Sequence, residues 1–510
     1  MQSIRDTSYR KEQIEFVSNT HGTTARETLL LLMPSICSLL LMITTTSLIG
    51  KYVNRVTKFV LEFLIIIVPT ILSYTIYSDD KILVCIALLA LCCTNFLFIA
   101  MTTDLASTGG AKPPPQTGRR PFITNFRALT SVLTSICILA VDFKAFPRRY
   151  AKTESYGFSL MDTGVGFFVM ANALVSLEAR DSGDNTKSAF LKNTLRNFLD
   201  CLRSCIPLLI LGSARYLSVE YLDYQRQVGE YGVHWNFFIT LAAVKLLTTI
   251  LTSLISSKHS LLVGISILTG YEYILTRSSF RQWFFGHSRK GFIDANREGI
   301  VSTLGYVGLY FVGVALGRLI HSTYRRAGKV QMSKSPESNN FRFIVFEAQY
   351  SESMILCVKL SLIAAQACVA TIFLDEYFRV SRKLANAGYC AWMITLTTVM
   401  LTMLLLLDVI TDILRQLLIN RKTNSNNRKS KKDEEKKANA LSSTPDIFEA
   451  VNYNGLAFFL ISNLLTGAIN MSMKTLYVPD IEAVKIITAY MVIDTAFFAA
   501  LHRCKIQIKL

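Results

Sequence analysis

Apolar runs of about twenty residues recur along the whole chain, and that length matches the hydrocarbon core of a bilayer. The pattern predicts spans at Leu29–Ile49, Phe59–Ile76, Ile82–Met101, Leu129–Phe146, Leu160–Leu177, Phe198–Leu217 and Val233–Ile255. It continues with Leu261–Leu275, Val301–Ile320, Met354–Leu374, Ala387–Leu407, Leu456–Ala468 extended to about Leu476, and Ile481–Leu501. The eighth is short and the sixth is polar. With no water to satisfy backbone groups in lipid, such runs become helices. The expected fold class is therefore all-α, a polytopic transmembrane helix bundle of about 13 spans. The first run is too long for a cleaved signal segment and reads as a retained span. Residues 1–28 are expected to form an N-terminal lumenal segment. Residues 29–510 are expected to form a single multi-span membrane domain, with a cytosolic disordered loop at 421–450.

Polar linkers interrupt the runs. Ser107–Arg120 holds Gly109, Gly110 and Pro113–Pro115, which resist regular structure. Ala327–Asn340 is rich in Ser and Lys, and Arg421–Ser443 carries Lys431, Lys432, Lys436 and Lys437 around Asp433–Glu435. Numbered after each span, the odd loops hold most Lys and Arg, among them Lys51, Arg55, Lys58, Arg119, Arg120, Arg325, Arg326 and Arg503. The positive-inside rule places these loops and the C-terminus in the cytosol, and the N-terminus on the lumenal or outer side.

Composition agrees with a membrane protein. The 510 residues are 51% hydrophobic and only 18% charged, with a mean hydropathy of +0.36. The net charge of +18 would point a soluble protein toward nucleic acid, but here the cations sit between apolar spans and no nucleic-acid module appears. Nucleic acid is therefore not an expected partner, whereas membrane lipid is. The eleven cysteines lie mostly inside apolar runs, without a CxxC pair, and the six histidines are scattered. No metal site and no cofactor are expected.

The even loops hold dense polar clusters beside apolar helix ends. The fourth runs from Ala140 to Glu154 and continues through Tyr156, Gly157 and Asp162. The sixth ends in Tyr231-Gly-Val-His-Trp-Asn, the eighth contains Asp294–Gly299, and the tenth holds Asp375, Arg379, Arg382 and Asn386. The topology puts all four on one membrane face, where ionisable residues are costly and point to function. Asp142 ends an apolar run, Pro147 stops the helix, and Lys152 follows across a turn. Together they offer a general base and a cation for developing negative charge. An interfacial end-cap with a positioning salt bridge accounts for them equally. Arg148 and Arg149 suit phosphate, or anchor to headgroups in general. His234 reads as a proton shuttle or an aromatic-belt residue, with Asn236 just inside the next span. Asn296, Arg297 and Glu298 open the ninth span; Glu298 fits a helix N-terminus, which leaves Arg297 unexplained. Asn463 and Asn470 read as helix-bridging amides. GxGxxG, P-loop, HExxH and GxSxG motifs are missing.

These loops resemble the PIG-W family of inositol acyltransferases, called GPI-anchored wall transfer proteins in fungi. The resemblance rests on Phe16-Val-Ser-Asn with Gly22-Thr-Thr, Ala140–Glu154 with Met161-Asp-Thr-Gly-Val-Gly, and Tyr231–Phe238. Asn296–Tyr306, Ser381–Asn386 and Ser462–Asn470 complete it, in order along most of the chain. It implies a multi-pass endoplasmic reticulum membrane protein. The implied reaction transfers a fatty acyl group, palmitoyl, from acyl-CoA to the inositol hydroxyl of glucosaminyl-phosphatidylinositol in GPI-anchor biosynthesis. The partners would be acyl-CoA as co-substrate, glucosaminyl-phosphatidylinositol and membrane lipids. The family's catalytic Asp and Lys fall on Asp142 and Lys152. Arg148, Arg149, His234, Asn236, Asn296, Arg297 and Glu298 become candidate substrate-binding residues. The sequence departs from the family at Lys144, commonly Pro, and at Tyr150 and Lys383, usually Phe and Arg. A covalent acyl-enzyme is the rival mechanism, with Cys137 the nearest thiol. A polytopic lipid transporter or scramblase is the rival function, which would carry inverted repeats that the chain does not show.

Overall fold

In the computed structural model every regular element among the described residues is helical. Those residues are 2–18, 20–49, 54–101, 120–180, 190–221, 228–286, 289–333, 352–420 and 441–508. The Ser107–Arg120 linker lies almost wholly outside them, as do half of Ala327–Asn340 and most of the 421–450 loop. The helices are α1 Gln2–Val17, α2 Ala25–Ile49, α3 Arg55–Tyr74, α4 Lys81–Met101, α5 Pro121–Ala140, α6 Thr163–Val175, α7 Leu177–Arg180, α8 Phe190–Tyr221, α9 Val228–Tyr231 and α10 Phe237–Leu254. They continue as α11 Ser260–Leu275, α12 Ser278–Phe285, α13 Gly291–Ala295, α14 Arg297–Ser333, α15 Glu352–Phe378, α16 Ala387–Asn420, α17 Asp446–Tyr453, α18 Gly455–Ser472 and α19 Asp480–Arg503.

All thirteen expected runs fall on helices. Ten of those helices are long and apolar enough to cross a bilayer. The other three are α6, α8 and α11: α6 has 13 residues, α11 has 16, and α8 is polar as the sequence indicated. Both boundaries of the fourth run, expected at Leu129–Phe146, moved toward the N-terminus. The helix starts at Pro121, whose fixed φ and missing N–H suit a first helical position, and stops at Ala140. Val141–Phe146 then forms consecutive tight turns, so Asp142 stands beyond the helix end.

The chain forms two compact units. The first comprises Met1–Gly22, Lys152–Phe158 and Asp162–Val399; the second comprises Thr23–Ala151, Ser159–Met161 and Met400–Leu510. In the first unit α14 is the organising helix, packed against α6, α10 and α11. Close approach there needs glycine. A Cβ on Gly308 would lie 2.7 Å from Leu268, and one on Gly313 2.7 Å from Ala173. In the second unit α5 runs through the middle against α17, α18 and α19, burying Phe122, Phe126, Leu129 and Ile136. A polar node braces these helices. Ser462 Oγ donates to Asp494 at 2.5 Å and shares a 2.8 Å hydrogen bond with Ser135, while the Tyr490 hydroxyl donates to the Ser135 carbonyl at 3.1 Å. In a low dielectric such groups must find partners, and these find them across helices.

Candidate functional site

The boundary between the units falls between Ala151 and Lys152, so Asp142 and Lys152 are held by different surroundings.

Asp142 belongs to the second unit. The turn carrying it is pinned by Phe143 and Phe146, both fully buried, and by the amides of Asp142 and Phe143 donating back to Leu139 and Ala140. Its Oδ2 accepts from the Asn470 side-chain amide at 2.7 Å. Arg148 donates to the Val141 carbonyl at 3.0 Å. Burial pushes the Arg148 guanidinium down, and the charge of Asp142 pulls it part of the way back. Lys144 is exposed.

Arg149 turns to a second cluster in the same unit. It donates from Nε to Glu27 at 3.2 Å, from Nη2 to Asp79, and to the Tyr150 hydroxyl at 3.1 Å. Burial lowers this guanidinium, but Tyr150 and Asp79 outweigh it and hold Arg149 above its ordinary range. Glu27 also accepts from Thr23, from Lys81 Nζ at 3.0 Å and from the Tyr150 hydroxyl at 2.9 Å. One carboxylate at the start of α2 therefore ties α4 and the 148–150 turn together.

Lys152 belongs to the first unit. Its Nζ lies 2.6 Å from Glu230 Oε1, with the lysine side chain 35% exposed and the glutamate 15%. Arg382, 4% exposed, donates from Nε to Asp162 at 2.7 Å and places Nη1 3.7 Å from Glu230. Asp162, 1% exposed, also accepts from the Thr153 amide and from the Thr153 hydroxyl at 2.7 Å. Burial pushes the Glu230 carboxyl up, but Lys152 and Arg382 overcome it and hold it at about 2. Arg382 is held above its ordinary value, mainly by Asp162 and Glu230 against the cost of burial. Lys383 is pushed down by burial, with only Glu298 pulling the other way.

The remaining candidates form a neighbouring scaffold in the first unit. Asn236 caps α10, accepting from the amides of Phe238 and Ile239 at 3.0 and 3.2 Å and donating to Gly212 at 2.8 Å. Asn296 accepts from the His234 and Trp235 amides at 2.7 and 3.0 Å. That approach requires Gly232, which has φ +119° and room for no Cβ, since one would lie 2.5 Å from the Asn296 Cα. His234 packs between Tyr216 and Phe292. Glu298 takes two hydrogen bonds from Arg289 at 2.7 and 3.2 Å. Arg297, 3% exposed, donates to the carbonyls of Trp283 at 2.9 Å and of Gly286. Its guanidinium thus caps the C-terminal end of α12. Beside this scaffold an apolar cavity of about 380 Å³ is lined by Trp235, Leu247, Tyr271, Phe280, Val301 and Leu304.

Sequence reasoning passed over Glu230 and Glu27, and read Asn470 only as a helix bridge. Glu230 directly precedes the Tyr231–Asn236 string, which is the one signal it offers. Among the described residues no three His, Cys, Asp or Glu side chains gather as metal ligands would.

A model of the GWT1 family matches residues 9–501. The chain is 33% identical to an uncharacterized protein of Arabidopsis thaliana, covering 88% of each. It is 30% identical to glucosaminyl-phosphatidylinositol-acyltransferase PIGW of Homo sapiens, over 93% of this chain and 94% of that one. It is 32% identical to GPI-anchored wall transfer protein 1 of Aspergillus oryzae, over 99% of this chain and all of that one.

Proposed function

The chain belongs to the GWT1 family, and on that premise we propose that it is a glucosaminyl-phosphatidylinositol acyltransferase of GPI-anchor biosynthesis, acting on the inositol ring. The observation that carries this reading is the reach of the similarity. It runs over nearly the whole chain, both candidate clusters included, in relatives named for that activity.

The proposed donor is acyl-CoA carrying palmitate. Asp142 takes the proton from the attacking inositol hydroxyl, an effect worth about 10²–10⁴ in rate. The hydroxyl oxygen bonds to the thioester carbonyl, and Lys152 stabilises the resulting oxyanion. The C–S bond then breaks, the ester remains, and the proton on Asp142 passes to the departing thiolate. Lysine has three donors; Glu230 occupies one, which leaves two for the oxyanion. The Asn470 amide orients the Asp142 carboxylate through its 2.7 Å hydrogen bond. Arg148 and Arg149 are assigned to substrate phosphates. His234 is the remaining substrate-facing candidate, and Asn236, Asn296, Arg297 and Glu298 hold the segment that presents it. The apolar cavity beside Trp235 suits an acyl chain, each buried methylene contributing about 0.8 kcal/mol. The protein is assigned to the endoplasmic reticulum membrane, N-terminus lumenal and C-terminus cytosolic, from its loop charges and the family it resembles.

The test uses purified full-length protein with labelled palmitoyl-CoA and glucosaminyl-phosphatidylinositol. A more hydrophobic labelled lipid is expected. Lipid crossing vesicle leaflets without acyl-CoA, and without such a product, would replace this reading with a scramblase.

A further inference from the structure

The interactions around Lys152 close on themselves. Lys152 Nζ meets Glu230, Glu230 faces Arg382, Arg382 binds Asp162, and Asp162 binds Thr153, the next residue after Lys152. The backbone at this point is also gripped from outside the ring. Thr20 Oγ1 donates to the Lys152 carbonyl at 2.5 Å, and the Glu154 amide donates to the Thr20 carbonyl at 3.1 Å. The 379–386 loop that carries Arg382 is itself fixed. Asn386 accepts from the Ser381 and Tyr389 amides and donates to the Arg379 carbonyl at 2.7 Å. Ser381 Oγ donates to the Ser155 carbonyl at 2.5 Å. The same loop holds Arg379 and Ala385 at positive φ, 55° and 48°. Such backbone persists only where surrounding contacts over-determine it.

The ring contains two cations and two carboxylates, so its charges balance. Its deepest members, Arg382 and Asp162, are almost wholly buried, while Lys152 reaches the half-exposed rim. A lysine on a flexible four-carbon stem has a large rotamer entropy, and fixing the ammonium needs an external partner. Glu230 is the acceptor at the ammonium itself. We propose that Glu230, backed by Arg382 and Asp162, is a positioning residue that aims the Lys152 ammonium at the reacting thioester carbonyl. This rests on the reading of Lys152 as the oxyanion-stabilising cation. Glu230 itself touches neither substrate.

The experiment is a double-mutant cycle on the full-length protein, with Lys152→Ala, Glu230→Gln, Glu230→Asp and Lys152→Ala/Glu230→Gln. It measures kcat and KM for acyl-CoA and the unfolding temperature in detergent. Glu230→Gln should lower kcat about tenfold and leave KM within about twofold, because aim matters only where charge develops. Glu230→Asp restores the charge and should return kcat to within about threefold of the parent. The double variant should be no slower than Lys152→Ala alone, since residues acting as a unit are not additive. Independent, multiplying losses would overturn the positioning role. So would a Glu230→Gln enzyme at the parental rate while Lys152→Ala has lost activity. If Glu230→Gln unfolds early, the Glu230→Asp variant decides: a folded protein that stays tenfold slow also overturns it. Lys152→Ala at the parental rate would remove Lys152 from the reaction, a different failure visible in the single variant.

Discussion

The surroundings of Lys152 and of Asp142 differ in the partner that each side chain meets. Lys152 sits in a charge-balanced ring whose innermost arginine and aspartate are buried. Asp142 stands just past the end of α5, with an amide at 2.7 Å and the guanidinium of Arg148 turned onto a backbone carbonyl. An ammonium that must stabilise charge keeps its proton and gains from carboxylate partners. A carboxylate that must accept a proton needs to be held in place, and an amide donor does that.

The largest blow to that contrast comes from Asp142→Asn. Transfer of label from acyl-CoA should fall by about 10²–10⁴ while the protein extracts and unfolds as the parent does. Turnover near the parental rate would take Asp142 out of the mechanism and leave the contrast without one side. Next is Arg382→Met, which leaves the buried Asp162 carboxylate without its cation, held by neutral donors such as Thr153. Breaking a buried pair in this way costs about 3–5 kcal/mol, read as a lower unfolding temperature in detergent. A loss under about 1 kcal/mol would mean that the ring is not a structural unit. Asn470→Ala should be milder, slowing transfer about tenfold through loss of one charge-assisted hydrogen bond. If Asn470→Ala instead matches Asp142→Asn, the amide does more than orient. The smallest effect is expected from Cys137→Ala, which should leave turnover within about twofold, since direct transfer needs no thiol. Loss of transfer with normal expression would favour an acyl-enzyme and recast the role of Asp142.

Much of this protein was readable along the chain. The thirteen apolar runs fall on helices, ten of them long and apolar enough to cross a bilayer, because a bilayer imposes length and apolarity on each span separately. Asp142, Lys152 and the arginines after Pro147 stood out because charge beside an apolar run is costly wherever the chain goes next. Periodicity failed at the α5 boundary, where apolar Val141, Phe143 and Phe146 continue the run but serve turns. Asn236, Asn296 and Arg297, candidate substrate-binding residues in the sequence, satisfy backbone groups at the start of α10 and the end of α12. A polar side chain beside a membrane-level helix end meets either need, and sequence spacing does not separate them.

The sequence by itself thus determined the architecture and the family, because both are written in local composition and in motifs read in order. Tertiary structure alone decided the partnerships. Glu230 stands 78 residues from Lys152, Arg382 stands 220 from Asp162, and Asn470 stands 328 from Asp142. The strength and direction of a charge interaction depend on distance and burial in space, and a linear string carries neither.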